Sequence, residues 1–179
     1  MSKSELDQTY LAEVMDVAAT EVFATMLGCE IKSGAAQPGS SVETVDHGMI
    51  ALLGLTGDWT GSASLCCSAE SACWIASQML CSEYPEVNAD VRDAVGEIAN
   101  MIVGSFKNSL SPKTGPLAMS TPTLVMGSNM STSTGGAHEW MVFPFSNNEH
   151  SFRMMVQLKP ASGNAMHRVH EAAHALATR

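Results

Sequence analysis

The chain has 179 residues, enough for one domain in which a sheet and several helices share a core. With 18 acidic against 9 basic side chains and a net charge of -9, it lacks the basic stripe that neutralises phosphates, which excludes nucleic acid as a partner. No apolar run approaches the roughly 18 residues of a membrane span, and the polar start MSKSELDQTY does not read as a signal peptide. A cytoplasmic protein with protein partners is expected.

Residues 5–28 predict a helix, with Leu11, Val14, Met15, Ala18, Val22 and Met26 forming an apolar stripe and Gly28 in the place of a C-cap. The Gly-, Ser- and Pro-rich stretch SGAAQPGSSVETVDHG predicts a loop. Residues 48–56 and 60–67 read as two strands of a hairpin turning at TGDWTG. Ser68 is the expected N-cap of a short helix that reaches Leu80, with Ala72, Ile75, Ala76 and Met79 on one side. A second, longer helix is expected from a cap at Asp90 to about Leu110, stopped by Ser111-Pro112. Strands follow at 117–127, 137–145 and 151–158. This order predicts an α+β fold, an antiparallel sheet with long helices packed on one face. The strands after residue 137 read as sheet edges, because EWMVFPF carries Pro144 and HSFRMMVQL alternates only imperfectly.

Five cysteines with no C-x2-C pair fit neither a disulfide framework nor a zinc ribbon. Cys66 and Cys67, neighbours in a strand, must point to opposite faces, so at most one should reach the core of a one-sided sheet. At the far end of the chain, His167, His170 and His174 share one helical face. They are either a metal-binding cluster or the polar face of a terminal helix.

The long helix carries the chemistry. At 100° per residue Asp93, Glu97 and Asn100 fall within about 60° of one another, opposite Val91, Val95, Ile98, Ile102 and Phe106. Asn is a poor helix former because its amide competes for backbone groups, so an Asn in mid-helix near Gly96 and Gly104 costs stability that a plain solvated face need not lose.

Asp-x3-Glu-x2-Asn followed by Pro122 in STPTLVMG resembles the signature of the CheX and CheC chemotaxis phosphatases. The hairpin GMIALLGLTGDWTGSASLCCSAES, the short helix, Asn-Met-Ile-x-Gly and Ser-x-Pro extend the resemblance over residues 4–158. The 21 residues between Asn100 and Pro122 are one fewer than that signature implies. The resemblance implies a domain over residues 1–160, with 161–179 as a helical tail beyond it. It implies a phosphatase acting on a CheY-type response regulator, with a non-catalytic binding or scaffold domain of the same fold as the alternative. Asn100 would then orient the attacking water and Glu97 would dock against the regulator's lysine. Asp93 and Gly104 would contact the partner, Asp93 having helix-end support as its other reading. No cofactor or metal of its own is expected, magnesium coming with the phosphorylated regulator, and a homodimer joined through the sheets is expected. Aligning Asp16-x3-Thr20-x2-Phe23 with the motif keeps only the Asp, which is either a degenerate duplicate or chance.

Overall fold

The structure, a computed structural model, describes residues 6–39, 48–128 and 140–161. Helix α1 (Gln8–Val22) starts where the Asp7 carboxylate accepts the Thr9 N–H at 3.2 Å. The hydroxyls of Thr20 and Thr25 donate back to the carbonyls of Asp16 and Glu21 at 2.7 Å, contacts that loosen and bend a helix. The chain widens there into a π turn, Phe23–Leu27, and closes at Gly28 with φ +64°, the left-handed cap expected from the sequence.

The segment expected to be a loop contains two short strands, β1 (Lys32–Ser33) and β2 (Gln37–Gly39). The hairpin follows as β3 (Gly48–Gly57) and β4 (Trp59–Ser68), paired from Gly48 with Ser68 to Leu55 with Gly61. Ser68 caps α2 (Ala69–Leu80) by accepting the Ser71 N–H at 3.1 Å.

Helix α3 (Ala89–Thr114) differs from expectation at both ends. Asn88 is its cap, accepting the Val91 N–H at 3.0 Å. Asp90 sits in the first turn and accepts the Tyr84 hydroxyl at 3.3 Å. At the other end the helix runs through Pro112 to Thr114. The missing proline N–H costs only the bond to Asn108, an exposed residue whose carbonyl water can serve. Thr114 Oγ1 donates to the Leu110 carbonyl at 3.1 Å and holds the final turn.

The strand expected at 117–127 is broken into β5 (Leu117–Met119) and β6 (Thr123–Gly127), both paired with β3. Pro122 has no N–H for a ladder, and between the two strands Ser120 Oγ accepts the Gly54 N–H at 2.9 Å. The hairpin β7 (Trp140–Ser146) and β8 (Ser151–Pro160) turns at Asn147, whose side-chain oxygen accepts the N–H groups of Glu149 and His150.

The sheet runs β1-β7-β8-β4-β3-β5, with β2 also on β7 and β6 also on β3. The expectation that the last two strands are edges is therefore wrong. β8 is central, and β7 is covered by β1 and β2. Pro144 is tolerated because it falls between those two short strands, where its carbonyl accepts the Gly34 N–H at 2.8 Å. The absent proline N–H points to the same gap. β8 alternates poorly because both its faces are covered. Met154 and Val156 join the main core under the helices, and Met155 joins Ile50, Cys66, Trp140 and Val142 on the other side. For the same reason Cys66 and Cys67 are both buried, one on each face.

All three helices pack on one face, making an α+β fold. Among the described residues no helix is long and apolar enough to cross a membrane. The terminal histidines lie outside the described residues.

Candidate functional site

Helix α3 is pinned by its apolar stripe. Val91, Val95, Ile98, Ile102 and Phe106 are fully buried between the sheet and the other two helices. Twenty-six residues of helix fixed along one side hold the opposite side as a rigid ridge. On that ridge Asp93 and Glu97 are exposed, while Asn100 and Gly104 are half-buried, so the structure brings together all four residues singled out from the sequence.

The broken strand pair β5–β6 flanks the ridge, and glycines set how near it comes. A Cβ on Gly96 would lie 3.8 Å from Leu124 Cδ1 and 4.0 Å from the Pro122 ring, and one on Gly104 would lie 3.9 Å from Met119 Cε. The two glycines are eight residues apart, about 12 Å along the axis, and Asn100 stands midway between them. Pro122 thus shapes the wall of the site. On one side of Gly104 the approach is taken by Met119 of the chain itself. Met119 and Leu124 were not singled out from the sequence; the small residues at 96 and 104 were the available signal that something packs against α3.

Among the described residues, the side chains of Asp93, Glu97 and Asn100 make no hydrogen bond or ion pair within the chain. A carboxylate and a carboxamide one turn apart are thus left without internal partners, the amide able to donate and accept at once. α1 offers no equivalent. Thr20 is bonded back to its own helix, and Phe23 is fully buried, stacked on Phe152 at 4.7 Å.

Among the described residues no three His, Cys, Asp or Glu side chains gather to hold a metal ion. The two buried strand cysteines are not poised as nucleophiles either. Burial pushes the Cys67 thiol up to about 12, with the neighbouring Cys66 and Cys73 adding to the shift. Cys66 is also raised by burial, against the opposing pull of Ser64 and Arg153.

Comparison with known proteins meets this geometry. The profile of the family described as "Chemotaxis phosphatase CheX" matches residues 49–146, a span that contains the ridge and its flanking strands. A protein of Thermotoga maritima named CheY-P phosphatase CheX is 28% identical over 117 residues, 65% of this chain and 75% of its own length. The crystal structure of chemotaxis protein CheX from Desulfovibrio desulfuricans superposes with a TM-score of 0.74 at 27% identity, covering 83% of this chain and 99% of that one. A chain of the CheX-CheY-BeF3-Mg complex from Borrelia burgdorferi superposes with a TM-score of 0.69 at 25% identity, covering 87% and 99%.

Proposed function

Because the chain belongs to the chemotaxis phosphatase CheX family, we propose that it hydrolyses the aspartyl phosphate of a CheY-type response regulator, with Asn100 on α3 orienting the attacking water. The observation that carries this reading is the ridge itself. A carboxylate and an amide without internal partners stand on a rigid, outward helix inside the segment the family profile matches.

The chemistry asks little of the protein. An aspartyl phosphate is a labile acyl phosphate, so what hydrolysis lacks is a water in line with the bond to be broken. The Asn100 amide, placed beside the phosphoryl group, accepts a hydrogen bond from that water and donates another to a phosphoryl oxygen. The water oxygen bonds to phosphorus, the bond to the aspartyl oxygen breaks, and that carboxylate departs with the electron pair. Phosphate is released, and the water proton passes to product oxygen or solvent. No side chain of this protein gains or loses a proton.

Glu97, one turn back, pairs with the regulator's active-site lysine and fixes the depth at which Asn100 enters. Asp93 and Gly104 extend the contact along the ridge. Magnesium is assigned to the regulator, in keeping with the composition of the Borrelia complex. When bound there it neutralises charge on the phosphoryl oxygens. Such a substrate places the protein in the cytoplasm.

We also assign a two-fold dimer joined through the sheets. Its support is the open β5–β6 side, where Leu52 and Val125 are exposed apolar side chains next to a strand edge that is unpaired among the described residues.

Phosphate release from phosphorylated CheY-type regulators, with and without this protein, tests the assignment. Acceleration over the regulator alone is expected. A complex that forms without acceleration would make the chain a non-catalytic binding domain instead.

A further inference from the structure

Off the ridge, α2, the link between α2 and α3, the start of β3, the end of β6 and the β7–β8 turn line an open cavity of about 860 Å3. None of Asp93, Glu97, Asn100 or Gly104 lines it. Its volume is that of pockets which bury small organic ligands. Much of the wall is apolar, built from Trp74, Val87 and Met126 among others.

The aromatic part of that wall is rigid. His150 stacks on Trp74 at 4.9 Å, Trp74 on Phe23 at 6.0 Å, and Phe23 on the buried Phe152 at 4.7 Å. A column of rings rooted in the core therefore ends at the cavity.

Among the described residues, Glu70 and Glu86 line the wall beside His150, and no Lys or Arg does. Both carboxylates are exposed, and among the described residues neither makes a hydrogen bond or ion pair. The Cys73 thiol, also in the wall, is raised by burial first and by the Glu86 charge second, so that carboxylate's field reaches the cavity. Two carboxylates with no partner among the described residues, beside a rigid apolar wall, repel an anion and leave a neutral guest with burial alone. A cation with an apolar body satisfies both.

We propose that this cavity binds a small organic cation, an ammonium or amidinium group on an aromatic or alkyl body, with the body against the Trp74 wall and the charge toward Glu70 and Glu86.

Calorimetric titration of the full chain near neutral pH with tryptamine, its neutral analogue tryptophol and the anion indole-3-propionate tests this. Tryptamine is expected to bind at one site about tenfold more tightly than tryptophol, and indole-3-propionate more weakly than either. Glu70→Gln combined with Glu86→Gln, both at exposed positions, should bring the three probes within about twofold of one another. Ala69→Trp, which fills the cavity from the start of α2, should remove tryptamine binding. Met126→Trp, at an exposed strand position in the same wall, does the same if the first replacement disturbs the helix. Equal affinities for the three probes, no saturable binding of tryptamine up to about millimolar concentration, or a cation preference that survives the double glutamine replacement would overturn the proposal.

Discussion

Gly96 of α3 lies against the ring of Pro122, at 4.0 Å from where its Cβ would be. That is ordinary van der Waals distance, so an alanine fits without displacing the strand break. Alanine in mid-helix is favoured over glycine by about 1 kcal/mol. Gly96→Ala should therefore raise the urea midpoint with an unchanged slope. A loss of stability would mean that β5–β6 is held closer to the helix than the distances say.

Gly104 separates two effects. Its Cβ would meet only Met119 Cε at 3.9 Å, so Gly104→Ala should also stabilise the free chain, by up to about 1 kcal/mol. If the partner's loop uses the space left by the missing side chain, the same replacement should weaken binding to the phosphorylated regulator. Unchanged binding would remove Gly104 from the interface.

Replacing Asn100 by alanine should leave folding and regulator binding close to those of the parent chain while stimulated phosphate release falls to the regulator's own rate. The side chain has no partner to lose among the described residues, and its proposed work begins only when water and phosphoryl group are present. Residual stimulation near the parent level would end the water-positioning role.

Glu97→Ala should act on affinity instead. A carboxylate paired with a lysine and desolvated at an interface is worth on the order of 1 to 3 kcal/mol, more than a rim ion pair. The dissociation constant of the complex should rise accordingly, with fold stability hardly changed. An equal dissociation constant for both chains would show that Glu97 does not dock.

The Cys67 thiol offers a pH test that is independent of function. Its folded-state value is raised to about 12 from an ordinary 9.0. Between those values the native state holds a proton that the unfolded chain has lost. The stabilisation is complete below pH 9 and is lost as pH climbs toward 12, by as much as about 1.4 kcal/mol per unit from this group. Cys67→Ala should flatten that alkaline decline in denaturant titrations, and a decline of the same slope would trace it to other groups.

Local signals and long-range ones were not equally legible in the sequence. Gly28 and Ser68 announced helix ends because their roles depend on a few neighbouring residues, and the ridge of Asp93, Glu97 and Asn100 followed from helical periodicity alone. β1 and β2 were missed because two or three residues are too few to show a period of two. Pro144 was misread for a related reason. What makes it acceptable is the interruption between two strands over a hundred residues away in sequence. The cap went to Asn88 and not to Asp90, a shift of two residues that composition could not decide, since both side chains can accept from a backbone N–H. That Gly96 and Gly104 face β5–β6 also needed the fold, because the periodicity that placed them on α3 says nothing about what lies opposite.

The strand order has a consequence in time. β4 pairs on one side with β3, which precedes it directly, and on the other with β8, so that Cys67 waits for Phe152. During synthesis the first hairpin and the helices that cover it are all made before the strand that closes the middle of the sheet. Until then β4 presents a free edge to any other extended chain. Contacts so distant in sequence are slow to form, and an edge open meanwhile invites the wrong partner. In a crowded cell, the vulnerable moment of this domain falls between the release of α3 and the arrival of β8.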